Sequence, residues 1–132
     1  MKWGLDTSFI MRLLTGDPPD QAQAAAAWLA KLRHNGERPL VSDLVVAETY
    51  FALQSSYKVP KAEAIAALLE FLSSGDVEAT GAAPEVLRTA NLANAKPGFV
   101  DRLIHAAYAD QQASLITFEK SAGKLPKVRV LS

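Results

Sequence analysis

The chain has 132 residues, of which 49% are hydrophobic and 21% are charged, and its 14 basic residues balance its 14 acidic ones. This size and composition predict one domain over residues 1–132, and the neutral charge argues against strong nonspecific binding of nucleic acid without excluding an RNA or DNA substrate. There is no cysteine for disulfide or thiolate chemistry. No apolar run approaches the ~18 residues of a membrane span, and the start lacks the hydrophobic region of a signal peptide. We therefore expect a cytoplasmic protein without membrane contacts.

The first predicted element is a short strand that ends in an acid. Residues 3–5 lead into Asp6, and the hydroxyl residues Thr7 and Ser8 precede a helical run over residues 9–14. We expect these hydroxyls to cap the helix. Because ligands of parallel α/β sheets bind at the carboxyl ends of strands, Asp6 is well placed for chemistry. The alternative is a turn aspartate that hydrogen-bonds nearby backbone.

Helical periodicity and breaker residues divide the rest of the chain into helices and short strands. The predicted helices cover about residues 18–34, 43–57, 60–73, 84–95 and 99–112. The predicted strands cover about residues 39–41, 77–79, 114–117 and 128–131. Short strands that alternate with helices predict an α/β fold with a central parallel sheet flanked by helices.

Glu48 is an acid in an otherwise apolar helical run. Helical spacing puts it between Leu44 and Phe51, which predicts that its helix face is buried. A buried carboxylate must be paired, protonated or bound to a metal, since burying a bare charge costs too much free energy. We prefer a metal ligand to a salt bridge, for which Arg12 and Arg102 are the candidate partners.

Two further acids stand at the ends of predicted elements. Asp101 lies in the first turn of the helix over residues 99–112, where the helix dipole favours any acid. Glu119 follows Thr117 at the end of a strand, as Asp6 does, and its alternative role is that of an ordinary surface turn residue. Either acid alone is weak evidence for a functional site. The stronger indication is that Asp6, Glu48, Asp101 and Glu119 occur together.

The four carboxylates together suggest one metal-binding pocket. His34 and His105 are not at a metal-ligand spacing, and the chain has no glycine-rich phosphate loop or nucleophile elbow. Oxygen ligands alone favour Mg²⁺ or Mn²⁺. Such an ion would offset the repulsion of the acids, orient a phosphodiester and activate water. Arg12, Arg102 and Lys120 are the cations that we expect at the rim.

Four motifs in this order resemble those of the PIN domain and, more narrowly, those of VapC-type toxin ribonucleases from type II toxin–antitoxin pairs. The motifs lie at Leu5–Asp17, Val46–Glu48, Phe99–Ala107 and Leu115–Lys120. The resemblance implies an α/β/α fold and endoribonuclease activity that depends on Mg²⁺ or Mn²⁺. It also implies a homodimer, an RNA substrate and a cognate antitoxin protein that blocks the pocket.

Residue roles follow from the same resemblance. It assigns catalysis and metal binding to Asp6, Glu48, Asp101 and Glu119. It assigns supporting roles to Thr7, Ser8, Thr117 and Arg12. The chain departs from the family pattern in two places, because the family usually has aspartate where Glu119 stands and commonly asparagine where Ser8 stands.

Two other readings of the sequence are open. The Glu119 departure and the neutral net charge are compatible with a PIN-like protein-interaction module of weak catalytic activity. Another α/β phosphoryl-transfer protein is a third possibility. A receiver domain would need an acidic pair at the first strand end, and a haloacid-dehalogenase-type phosphatase would need an acid where Ser8 stands, so neither pattern is matched.

Overall fold

The computed structural model describes residues 2–132, in which helices surround short strands. The helices are α1 (Thr7–Thr15), α2 (Pro19–His34), α3 (Asp43–Tyr57), α4 (Lys61–Leu72), α5 (Ala83–Leu87) and α6 (Phe99–Ala109). The strands are β1 (Leu40–Val41), β2 (Glu78–Ala79), β3 (Leu115–Thr117) and β4 (Val128–Val130). Short 3₁₀ turns cover Leu92–Asn94 and Lys120–Lys124. Across residues 2–132, no helix combines the length and the hydrophobicity that a membrane crossing requires.

The strand pairing is parallel throughout, but the sheet is divided. β1 pairs with β2, and β3 pairs with β4, in two separate two-stranded sheets. Residues 3–5, predicted as the first strand, form only an isolated parallel bridge with β1, between Gly4 and Leu40. The predicted α/β class and parallel pairing are confirmed, and in residues 2–132 the parallel strands form two small sheets.

The hydrophobic core lies where α1, α3, α4, α6 and the β1–β2 sheet meet. Its most deeply buried large side chains are Ile10, Val41, Val46, Leu68, Val77 and Phe99. Burying each such side chain stabilises the fold by about 1.5–3 kcal/mol. The ring of Tyr50 packs edge-to-face on Phe99, with 5.0 Å between ring centroids, so α3 and the start of α6 are held together at the core.

The C-terminal segment 110–132, which contains β3 and β4, contributes little to this core. Ala122 is its one buried residue, and Phe118 is 74% exposed. His105 on α6 ties the segment down, because its Nε2 lies 2.8 Å from the carbonyl oxygen of Pro126. A carbonyl oxygen can only accept, so this nitrogen carries the proton.

Most predicted boundaries agree with the structure to within a few residues, and two helices are shorter than predicted. The helix that begins near Pro84 ends at Leu87 instead of continuing to residue 95. Asn91 adopts a left-handed backbone conformation with φ of 56°, which an α-helix does not permit and which asparagine tolerates better than most residues. The helix predicted over 99–112 ends at Ala109.

Candidate functional site

Asp6 caps the N-terminus of α1 with its own side chain. Its Oδ1 accepts a hydrogen bond from the Phe9 backbone N–H at 3.0 Å and another from the Ser8 hydroxyl at 2.7 Å. The expectation that Thr7 or Ser8 caps this helix is therefore wrong. The helix begins at Thr7, so Asp6 occupies the extended position before the first turn, where an acceptor can reach the free N–H groups.

The hydrogen bonds to Asp6 favour its ionised form. The Phe9 N–H and then the Ser8 hydroxyl lower the pKa of Asp6 below its ordinary value of 3.8, and the charge of Arg12 adds a weaker effect in the same direction. Both bonds end on Oδ1, so Oδ2 is the oxygen that remains available for a cation. An ionised carboxylate with a free oxygen is suited to metal coordination.

A threonine connects Asp6 to the second predicted acid. The hydroxyl of Thr7 donates to Oε1 of Glu48 on α3 at 2.8 Å, across 41 residues of sequence. Since Thr7 adjoins Asp6 in the chain, this bond brings the region around the first two carboxylates together. The supporting role that we expected for Thr7 is compatible with this geometry, as is the contact of Ser8 with Asp6.

The predicted burial of the Glu48 face is wrong. Glu48 is exposed, and Leu44 on the same side of α3 is 71% exposed. The face of α3 that enters the core carries Val46, Thr49, Tyr50 and Leu53. Because α3 has apolar residues on both sides, its periodicity could not indicate which side faces the core. Burial therefore does not require Glu48 to bind a metal.

The other two predicted acids line a common pocket. Asp101 and Glu119 border a pocket of about 300 Å³ between α6 and β3, together with Thr117 and Tyr108. The hydroxyl of Thr117 accepts a hydrogen bond from the Glu119 backbone N–H at 3.0 Å. Thr117 thus positions the backbone of Glu119, whereas the carboxylate of Glu119 is bonded to Ser121.

Glu119 is held much as Asp6 is. Its Oε1 accepts from the Ser121 hydroxyl at 2.9 Å and from the Ser121 backbone N–H at 3.1 Å. These bonds, and more weakly the charge of Lys96, lower the pKa of Glu119 below its ordinary value of 4.5. The glutamate is therefore an ionised cap of the 3₁₀ turn that follows it.

In the structure, Thr7 links the Asp6 turn to Glu48, and Asp101 and Glu119 line one pocket, so the contacts connect the four acids two by two. Within residues 2–132, no three Asp, Glu or His side chains lie close enough together to hold one metal ion. Asp6 follows the N-terminal segment that bridges to β1, whereas Glu119 follows β3 in the other sheet.

The donor chemistry of each pair nevertheless fits a hard divalent ion. Mg²⁺ is usually bound in proteins through one or two carboxylates, with water and substrate phosphates completing its coordination. Asp6 with Glu48, and Asp101 with Glu119, each offer two carboxylates on an accessible surface. The assignment of all four to metal binding stays a prediction.

Cations stand beside both pairs, only partly as predicted. Arg12 is close enough to Asp6 to lower its pKa, whereas the Nε of Arg102 donates to a backbone carbonyl of the preceding loop at 2.7 Å. Lys96, which acts on Glu119, was missed because it lies in a loop far from that residue in sequence. Aromatic side chains also lie beside these acids, Trp3 next to Asp6 and Tyr108 in the pocket of Asp101 and Glu119, and no motif of the sequence singles them out.

Comparison with known families gives one result. The family model of the PIN domain matches residues 5–128 of the chain, a span that includes Asp6, Glu48, Asp101 and Glu119. Neither the curated proteins nor the solved structures gave a match.

Proposed function

The chain belongs to the PIN-domain family, a nuclease fold, and from this premise we propose that it is a metal-dependent endoribonuclease. The proposed reaction is hydrolysis of RNA phosphodiester bonds. We further propose that the protein is a VapC-type toxin of a type II toxin–antitoxin system, which acts in the cytoplasm. The proposed metal-binding and catalytic residues are Asp6, Glu48, Asp101 and Glu119.

One observation supports the proposed site most directly. The Thr7 hydroxyl joins the Asp6 turn to Glu48, although these acids were selected independently from distant parts of the sequence. A purely local role for Asp6 would need only its cap of α1. The bond from the neighbouring Thr7 to Glu48 is the kind of supporting contact that orients ligands around a metal.

The protein's own groups have defined tasks in this proposal. A bound Mg²⁺ or Mn²⁺ would orient the phosphodiester and activate water for hydrolysis. Asp6 and Glu119 are anions at neutral pH, as ordinary carboxyl groups are, and the hydrogen bonds that lower their pKa values extend this ionised range to more acidic pH. Arg12 and Lys96 reduce the negative potential at the two pairs, which favours the approach of a polyanion.

An exposed apolar groove supports the proposal of protein partners. α3 and α6 border a groove of about 270 Å³ whose walls include Leu44, Ala47, Val100 and Ile104. Exposed apolar patches of this kind are common at protein interfaces. We therefore propose that the protein forms a homodimer and binds a cognate antitoxin through its helices.

The test of the nuclease proposal is RNA cleavage with Mg²⁺ or Mn²⁺. We expect Asp6→Asn and Asp101→Asn each to lower the rate about a hundredfold or more, since a metal supplies several kcal/mol of transition-state stabilisation. Asp20→Asn is the matched control, because Asp20 is an exposed aspartate on α2 outside the proposed site. Full cleavage by both site variants would show that the proposed site is wrong.

A second candidate function is a PIN-like interaction module of weak catalytic activity. The observation that favours it is the lack, within residues 2–132, of three carboxylates positioned around one ion. This candidate predicts that calorimetry detects no binding of Mn²⁺, while a partner protein binds tightly. Binding of Mn²⁺ that depends on Asp6 would favour the nuclease.

A further inference from the structure

An aromatic hollow adjoins Asp6 on the side of the N-terminal segment, residues 3–5. It has a volume of about 450 Å³ and opens to solvent. The residues that line it are Trp3, Gly4, Leu5, Asp6, Phe9 and Trp28. Its size is within the range of small-molecule binding sites. A carboxylate proposed for catalysis thus forms one wall of a site whose other walls are largely aromatic.

The rings in this hollow are packed in a way that leaves ring surface free. Trp28 lies edge-to-face with Trp3 at 5.5 Å and with Phe9 at 5.6 Å between ring centroids. In an edge-to-face pair, only one face of one ring is covered by the other ring. Trp3 remains 41% exposed, so an indole surface is accessible directly beside Asp6.

We infer that this hollow binds a nucleobase of single-stranded RNA, which stacks on the exposed indole of Trp3 beside Asp6. The inference rests on the proposed function for its class of substrate. It adds the residues that would hold an unpaired base. Stacking on aromatic side chains is the usual way in which proteins hold unpaired bases.

Charge and geometry both favour this occupant. With a net charge of zero, the chain has little nonspecific electrostatic attraction for nucleic acid, so a further source of affinity is needed. Base stacking supplies affinity without net charge and tolerates any sequence, because every base has a π face. Arg12 is near enough for its charge to act on Asp6, and this positive charge favours a phosphate close to the hollow. Bases within a duplex are already stacked and could not enter the hollow.

Tyr57 offers a comparison within the same chain. It is exposed to the same fraction, 41%, and its hydroxyl donates to Asp17 at 2.9 Å. It lines neither the aromatic hollow nor the pocket of Asp101 and Glu119. The loss of this ring should therefore not affect RNA binding.

Tryptophan fluorescence tests the inference with little ambiguity, because the chain has two tryptophans and both line the hollow. The full-length protein is titrated with a short single-stranded oligoadenylate, with a chelator present so that no cleavage occurs. We expect saturable quenching of the emission. The same strand paired with oligouridylate should quench little at equal concentration, and quenching that is as strong with the duplex would overturn the inference.

Substitutions then identify the ring responsible. Trp3→Leu, with Trp28 as the remaining reporter, should weaken binding of the single strand roughly 5- to 150-fold, the range expected for loss of one stacked base. Trp3→Phe should restore most of the affinity, and Tyr57→Leu should leave it unchanged. If Trp3→Leu binds as tightly as Tyr57→Leu, Trp3 does not hold a base. The comparison of single strand and duplex on the unaltered protein remains decisive if Trp3→Leu does not fold.

Cleavage assays separate this inference from the proposed function. Cleavage whose KM and kcat are both unaffected by Trp3→Leu would preserve the nuclease and overturn the base-binding subsite. Single-strand binding that depends on Trp3, in a protein that cleaves no RNA with Mg²⁺ or Mn²⁺, would preserve the subsite and overturn the nuclease. A rise in KM for Trp3→Leu with little change in kcat supports both.

Discussion

Asp6 and Glu119 are held by nearly the same local bonds, but the structure beneath them differs. Each carboxylate caps a helical turn and accepts a hydroxyl bond from a serine two residues later, Ser8 or Ser121. The helix that follows Asp6 buries Ile10 and Met11 in the core. The segment 110–132 that carries Glu119 buries Ala122 alone.

This difference shows that local hydrogen bonding does not by itself make a site rigid. The orientation of a side chain is preorganised only when the element that carries it is also packed. The first pair, Asp6 and Glu48, meets this condition through α1 and α3. The position of Glu119 depends on how the C-terminal segment lies against α6, to which His105 and Pro126 contribute one hydrogen bond.

The largest expected contrast is in stability. Ile10→Ala should lower the free energy of unfolding by about 2–5 kcal/mol, since Ile10 is buried in the core beneath Asp6. Ile116→Ala, the same change on the largely exposed β3, should alter it by about 0.5 kcal/mol or less. Urea denaturation of the two variants measures both values, and equal losses would show that β3 belongs to the cooperative core.

Metal affinity should distinguish the two pairs next. Thr7→Val removes the bond to Glu48, and we expect Mn²⁺ affinity to fall about 10- to 100-fold, as for loss of other groups that orient metal ligands. Thr117→Val should have a smaller effect, because the Thr117 hydroxyl bonds a backbone N–H and not a carboxylate. Calorimetric titration with Mn²⁺ tests the order, and a larger loss for Thr117→Val would reverse the comparison.

Hydrogen exchange should show the same contrast in the unaltered protein. The amides of β3 and β4 lie in a two-stranded ladder with little packing, so local opening there should cost less free energy than opening of α3. We expect a difference of roughly 2 kcal/mol in opening free energy. Similar protection of Thr117 and Tyr50 would show that the C-terminal segment is as firmly held as the core.

The smallest expected effect concerns the two serines. Because the pKa of Asp6 is lower in the folded than in the unfolded protein, its ionisation stabilises the fold above about pH 4, and this contribution is lost as the pH falls through the folded pKa. Ser8→Ala should raise the pKa of Asp6 toward 3.8 and reduce stability at neutral pH but not at low pH. Ser121→Ala should do the same for Glu119. NMR titration of the carboxyl groups measures both shifts, and an unchanged Asp6 titration in Ser8→Ala would contradict the assignment of the bond.

Features that depend on neighbouring residues could be predicted from the sequence. Ser42 caps α3, a local feature, because its hydroxyl oxygen needs only to accept from the Val45 N–H three residues later. α2 ends at Asn35 and Gly36, where glycine adopts a positive φ of 74°. The division into helices and short parallel strands follows from such local signals together with hydrophobic periodicity.

Features that depend on long-range packing could not be predicted from the sequence. Nothing near Glu48 in sequence indicates whether the side of α3 with Leu44 or the side with Val46 faces the core. The hollow formed by Trp3, Phe9 and Trp28 also requires that α2 pack beside residues 3–5, and no residue spacing in the sequence predicts that contact.

The sequence by itself therefore determined the family, the order of the elements and the four acids that its motifs single out. Only the tertiary structure decided that Thr7 connects the Asp6 turn to Glu48, that Asp101 and Glu119 line one pocket, and that tryptophans flank Asp6. The physical reason is the range of the interactions: caps and turns form between residues a few positions apart, whereas strand pairing and the choice of buried face depend on competition among all the apolar surfaces of the chain.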